Sequence, residues 1–110
     1  MLVIEAGLAP ENFTGVLRRF SPHLVILIDA AQMTDPPGTI RWMAWYAAGG
    51  LSASTHSQPP STLAEFLIAE LGCQVALLGI QPASLETGHP VSPQVSAAIR
   101  KIVHTFNNVL

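Results

Sequence analysis

Two uninterrupted apolar runs constrain the fold of this chain more than any other feature. Leu24 to Ile28 and Val75 to Ile80 contain no polar side chain, whereas a strand with one face in water alternates apolar and polar residues. Such runs are typical of strands that helices cover on both faces. Both are far shorter than the roughly 20 residues needed to cross a bilayer. We therefore expect two buried strands of an α/β sheet.

Weaker periodic patterns flank these two runs. Helical spacing of apolar residues predicts helices that begin near Pro10, Ser61 and Gln94. β-branched residues predict further strands at Leu2–Gly7 and Thr39–Trp45. The loop before Thr39 is too short for a usual crossover, so this strand should run antiparallel or lie at an edge. The order of elements predicts an α/β fold, a three-layer sandwich around a mainly parallel, twisted sheet with one antiparallel edge strand.

The length of the chain suits a single domain with few charges. Its 110 residues are 49% apolar and only 11% charged, where about 25% is usual, which argues against a disordered chain. The net charge is −2 and the five basic residues form no long run, which argues against nucleic-acid binding. Cys73 is the single cysteine, and the first residues lack a signal-peptide pattern. We therefore expect a cytoplasmic protein without internal disulfides.

Polar side chains occur where the predicted strands end. Glu5 lies near the end of the first predicted strand, Asp29 ends the first apolar run, and Gln81 follows the second. Ligands of open α/β sheets bind at this carboxyl edge, which the loop carrying His56 can reach from the start of the next helix. Asp29 and His56 supply a carboxylate and an imidazole, a combination that suits nickel, zinc or iron.

Other interpretations of these residues stay open. A carboxylate at a strand end, such as Asp29, is often only a cap, and a loop histidine such as His56 is often merely solvated. We expect Trp42, Trp45 and Tyr46 to lie in the core, with an exposed docking patch as the alternative. The sequence contains no Walker loop and no GxGxxG, CxxC, HExxH or GxSxG motif. No catalytic residue is assigned.

Four blocks of sequence follow one another with the order and spacing of a known family. They are Val3–Asn12, Leu27–Met33 together with Pro37–Arg41, Ser54–Ser57, and Leu78–Pro82. In these blocks the chain resembles the hydrogenase maturation endopeptidases, and most closely the hydrogenase 3 type that serves formate hydrogenlyase. The match runs over almost the whole chain.

The resemblance implies a phosphorylase/hydrolase-like fold and an endopeptidase that removes the C-terminal extension of a nickel-iron hydrogenase large-subunit precursor after nickel insertion. Nickel in the precursor serves as the recognition element, and no organic cofactor is implied. By motif, Asp29 and His56 match two of the three metal-contacting residues of the family. A metal held in this way can polarise a carbonyl or activate water. Since an imidazole ligand must be neutral, metal binding should weaken as the pH falls through about 6.5, the ordinary pKa of histidine.

The resemblance also marks a difference from the family. The third metal-contacting residue, an acid in a Gly-Asp-Asp-Gly-like loop after the family's first strand, has no counterpart here, and Glu5 matches a different acid. We therefore expect residues 1–110 to form one domain of this family without its first β-α unit. The unpaired sheet edge that results should favour self-association.

Two other functions compete with the endopeptidase. The first is a non-catalytic module of the same fold that binds nickel or the precursor through Asp29 and His56. The second is a receiver-like domain with Asp29 as phospho-acceptor. It is disfavoured because the only lysine, Lys101, falls inside the last predicted helix.

Overall fold

In the part of the chain that the structure describes, helices lie before, between and after three strands. The structure, a computed structural model, describes residues 2–7, 9–47, 60–83 and 92–109. In chain order the elements are a 3-10 helix (Pro10–Phe13), α1 (Thr14–Phe20), β1 (Leu24–Ala30), β2 (Ile40–Met43), a second 3-10 helix (Trp45–Ala47), α2 (Pro60–Leu71), β3 (Gln74–Ile80) and α3 (Pro93–Val109). None of these helices combines the length and hydropathy that crossing a bilayer requires.

The three strands form one mixed sheet in the order β1-β3-β2. β1 pairs with β3 in parallel, from Leu24 opposite Gln74 to Ala30 opposite Ile80. β2 pairs antiparallel with β3, and Ile40 lies opposite Ile80. The predicted α/β class and the antiparallel edge strand are confirmed. In the described sheet the central strand is β3, which pairs with both β1 and β2.

The first predicted strand is wrong. Residues 2–6 adopt no strand, and Val3 is 77% exposed. β-branched residues favour a pleated surface only where a neighbouring strand accepts their backbone hydrogen bonds. Within the described residues β1 pairs only with β3, so its outer edge has no strand beside it.

Alternate residues of β1 and β3 pack into two apolar clusters. Because successive side chains of a strand point to opposite faces, α2 covers one face and α3 covers the other. Leu24 and Ile28, on the α3 side of β1, remain 50% and 46% exposed because they lie at the sheet edge. The buried cluster members are Val25, Leu63, Leu67 and Cys73 on the α2 side and Leu78, Ile80, Ala98 and Ile102 on the α3 side.

The expected burial of the three aromatic residues is also wrong for two of them. Trp42 is 58% exposed and Tyr46 is 74% exposed, while Trp45 is half-buried. Trp45 and Tyr46 make an edge-to-face contact with their ring centroids 5.6 Å apart. β2 is an edge strand of only four residues, so its side chains have a neighbouring strand on one side alone.

Candidate functional site

The carboxyl ends of β1 and β3 meet at one edge of the sheet. Parallel pairing sets Asp29 opposite Gly79 and Ala30 opposite Ile80, and Gln81 follows directly. The amide of Ala31 continues the ladder by donating to the carbonyl of Ile80 over 3.0 Å. Two of the polar residues singled out from the sequence, Asp29 and Gln81, therefore belong to the same edge.

Asp29 is half-buried near the end of β1. Its Oδ1 accepts a hydrogen bond of 2.8 Å from the backbone amide of Ala30. Asp29 has the same parity along β1 as Val25 and Leu27, which pack on the α2 side of the sheet. The carboxylate is thus an oxygen acceptor on the face where α2 begins, and carboxylate oxygens are common metal ligands.

The side chain of Gln81 is buried, with 4% of its surface exposed. Its Oε1 accepts hydrogen bonds from the amide of Met33 at 2.6 Å and the amide of Asp35 at 3.4 Å. Its Nε2 donates to Oε1 of Gln32 at 2.9 Å and to the carbonyl of Pro82 at 3.1 Å. Backbone donors on one side and a backbone acceptor on the other determine which end of the amide is oxygen. Every polar atom of this buried side chain is therefore satisfied.

The backbone of Gln81 binds the other half of the same loop. Its carbonyl accepts from the amide of Gly38, and its amide donates to the carbonyl of Thr39, each over 2.9 Å. We call residues 31–39 the β1–β2 loop. Gln81 holds this loop with its side chain near the beginning and with its backbone near the end.

Two glycines allow close packing around the β1–β2 loop. A Cβ on Gly79 would lie 2.6 Å from Cε of Met43 and 3.3 Å from Sδ of Met33. A Cβ on Gly38 would lie 2.6 Å from the carbonyl oxygen of Gln94 in α3, and the φ of Gly38 is +87°. Gly38 thus excludes larger residues because backbone atoms occupy the space, whereas at Gly79 the flexible methionine side chains would have to move.

An ion pair closes the β1–β2 loop against β2. Nη2 of Arg41 lies 2.6 Å from Oδ2 of Asp35, and the two side chains are 54% and 18% exposed. In the sequence Asp35 precedes Pro36-Pro37-Gly38, which is typical of a turn, and Arg41 has no charged neighbour. Their pairing depends on the loop returning to β2, which local turn signals do not reveal.

The remaining predicted site residues lie elsewhere or outside the described residues. His56 falls in the range 48–59, which lies outside them. Glu5 is exposed in the segment that forms no strand. Within the described residues no group of three histidine, cysteine, aspartate or glutamate side chains is arranged to hold a metal ion.

Comparison with known proteins gives relatives that are all named as hydrogenase maturation proteases. The hydrogenase 3 maturation protease of Escherichia coli is 30% identical over 102 residues, which cover 92% of this chain and 65% of the relative. A relative from Methanocaldococcus jannaschii is 28% identical over 110 residues, which cover 100% of this chain and 64% of the relative. The chain thus spans a little less than two thirds of the length of these relatives.

Solved structures have the same fold. The solution structure of the endopeptidase HycI from Escherichia coli gives a TM-score of 0.80 at 29% identity, covering 93% of this chain and 65% of that one. The crystal structure of the NiFe hydrogenase maturation protease HycI from Thermococcus kodakarensis gives a TM-score of 0.79 at 24% identity, covering 92% and 65%.

A sequence model of one family matches nearly the whole chain. The model describes HycI, the hydrogenase maturation protease, and it covers residues 1–108. Both the β1–β2 loop and Gln81, which hold the site together, lie within the matched range. The chain therefore belongs to the hydrogenase maturation protease family.

Proposed function

We propose that this protein takes part in the endopeptidase reaction that removes the C-terminal extension of a nickel-iron hydrogenase large-subunit precursor. The observation that carries the proposal is the family match over residues 1–108. It is supported by the similarity to the hydrogenase 3 maturation protease of Escherichia coli. We further propose that the reaction takes place in the cytoplasm after nickel has been inserted.

Nickel in the precursor is the recognition element in this proposal, and Asp29 and His56 are its contacts on this chain. Asp29 offers carboxylate oxygens at the carboxyl edge of the sheet, next to a loop that Gln81 holds in place. His56 precedes Pro60, where α2 begins, by four residues. Chain length alone therefore limits the distance between the Cα atoms of His56 and Pro60 to roughly 15 Å. An imidazole and a carboxylate are the ligand types that nickel accepts.

We also propose that residues 1–110 act as one domain of this family. The Gly-Asp-Asp-Gly-like loop, which supplies the third metal contact in the family, has no counterpart in the sequence. Cleavage by this chain alone should then be weak or absent, while contact with nickel through two residues should persist.

The deciding experiment incubates purified chain with nickel-loaded large-subunit precursor and follows the shortening of the precursor by mass spectrometry. The same incubation is made with a chain to which the first β-α unit of a relative has been fused. We expect cleavage with the fused chain, and loss of cleavage in its Asp29→Ala and His56→Ala variants. Glu65→Ala, which removes an exposed carboxylate of α2, is the matched control. If the fused chain also leaves the precursor intact, the endopeptidase proposal is wrong.

The alternative is a non-catalytic module that binds nickel or the precursor. Residues 1–110 contain Asp29 and His56 but no counterpart of the third acid. This favours a binding module over an endopeptidase for the chain without the fused unit. Titration calorimetry with nickel separates the possibilities, because heat that disappears in Asp29→Ala but not in Glu65→Ala supports binding through this site. Identical titrations for the wild type and Asp29→Ala would contradict both the module and the assigned contact.

Self-association through the outer edge of β1 is part of the same proposal. This edge has no paired strand among the described residues, and the exposed Leu24 and Ile28 lie along it. Unprotected apolar edges promote pairing between chains, and a lysine on the edge prevents it. Light scattering should detect association that grows with concentration in the wild type and is reduced in Ile28→Lys. A wild type that is monomeric at every concentration would contradict this part.

A further inference from the structure

The β1–β2 loop contains a strained residue at its exposed part. Thr34 has a φ of +58°, in the left-handed region that β-branched residues rarely adopt. Its hydroxyl donates to the carbonyl of Met33 over 2.6 Å. Strained backbone persists only where the surrounding structure holds it, and such positions cluster at binding and catalytic sites.

The cause of this conformation is visible in the hydrogen bonds of Gln81. Oε1 of Gln81 accepts from the amides of Met33 and Asp35, the residues immediately before and after Thr34. One oxygen therefore binds the amides on both sides of Thr34, and the left-handed backbone of Thr34 lies between them. Nε2 donates to Oε1 of Gln32 near the start of the loop, so this one side-chain amide contacts three residues of the first half of the loop.

The part of the β1–β2 loop that begins at Thr34 is exposed next to the candidate site. Thr34, Pro36 and Pro37 are exposed, whereas Met33 is buried beneath them. The loop leaves β1 directly after Asp29 and Ala30, at the carboxyl edge where ligands of such sheets bind. We call Thr34–Pro37 the loop crest. Two prolines restrict its backbone further, so it presents a rigid surface.

We propose that Gln81 is a positioning residue that holds Thr34 in its left-handed conformation and so fixes the loop crest as a wall against which the precursor peptide binds. The inference rests on the proposed function, since it assigns a partner to a surface beside the same site. Asp29 is held in place separately by the ladder of β1 and β3. Gln81 should therefore affect binding of the peptide segment, while Asp29 contacts the nickel of the precursor.

The test uses the fused chain and the nickel-loaded precursor, with KM and kcat measured separately. Gln81→Met keeps the volume of the side chain and removes its hydrogen bonds. We expect a KM about tenfold higher with little change in kcat, because the loop must then be ordered during binding. Gln32→Ala removes only one of the bonds and should raise KM less. Leu67→Ala destabilises the core of the opposite edge and should change neither constant while the chain remains folded.

A double-mutant cycle tests the role of Thr34 directly. Thr34→Gly removes the strain, because glycine adopts positive φ freely. If Gln81 acts by holding residue 34, Gln81→Met should raise KM less in the Thr34→Gly background than in the wild type. Amide hydrogen exchange of Met33 and Asp35 gives a second readout that needs no activity, and Gln81→Met should lower their protection by about fivefold or more.

The outcomes distinguish the inference from the proposed function. A fused wild-type chain that neither binds nor cleaves the precursor overturns both. A wild type that cleaves, together with a Gln81→Met variant of unchanged KM, overturns the inference alone. Equal rises in KM for Gln81→Met and Leu67→Ala would also overturn it, because the effect would then follow from lost stability.

Discussion

Gly38 gives the sharpest test of how the β1–β2 loop packs against α3. Alanine at this position must adopt a φ near +87°, which costs about 1 kcal/mol relative to glycine. Its Cβ would also lie 2.6 Å from the carbonyl oxygen and 2.9 Å from the carbonyl carbon of Gln94. These are backbone atoms of a helix, so either the loop or α3 must move, at a cost of about 1–3 kcal/mol. We expect Gly38→Ala to lower the free energy of unfolding by about 2–4 kcal/mol.

Gly72→Ala is the matched control for this substitution. Gly72 follows the end of α2 with a φ of +64°, and a Cβ there would meet no atom within 4 Å. Only the conformational cost applies, so the expected loss is about 1 kcal/mol. Urea unfolding followed by far-UV circular dichroism measures both variants on the same scale. If Gly38→Ala is no more destabilising than Gly72→Ala, the packing of the loop against α3 described above is wrong.

Three further predictions concern charge, core and thiol. Arg41→Ala should lower the free energy of unfolding by about 1 kcal/mol because Asp35 is largely buried, and this loss should be smaller in 1 M salt. Arg18→Ala is the comparison, because both side chains of the Arg18–Glu70 pair are about half exposed. It should lower the free energy of unfolding by only about 0–0.5 kcal/mol. Leu67→Ala should cost about 2–5 kcal/mol in urea unfolding, since the side chain has no exposed surface. Cys73 is a buried free thiol and should react with an aromatic disulfide reagent only as fast as the protein opens. Fast reaction in native buffer would contradict its burial.

The sequence predicted those elements whose pattern reports burial directly. The apolar runs of β1 and β3 contain no polar residue because helices lie on both sides of the sheet. The short connection to β2 indicated its antiparallel direction, because a parallel partner would need a longer crossover. Residues 2–6 have the composition of a strand but no partner among the described residues. Composition alone does not predict whether a neighbouring strand is present.

The candidate site was predictable only in part, for a related reason. Asp29 and Gln81 were found because both follow apolar runs whose ends must coincide in a parallel sheet. The hydrogen bonds that Gln81 accepts from Met33 and Asp35 join residues 48 and 46 positions apart, and no local pattern encodes such a contact. The left-handed Thr34 was equally invisible, since threonine is a poor candidate for positive φ. The role of His56 stays a prediction.

The order of the strands has a consequence for how this protein folds during its synthesis on the ribosome. Among the strands of the described residues, β3 alone pairs with both others, yet it is synthesised last of the three. Leu24 pairs with Gln74, and Met43 pairs with Leu77. β1 and β2, which follow each other in the sequence, therefore form no early hairpin with each other. Closing such long loops is slow, and β1 and β2 remain as unpaired apolar segments until β3 emerges. Chaperones that hold extended apolar chains should therefore capture nascent chains that stop before residue 74, and should release those that continue through α3.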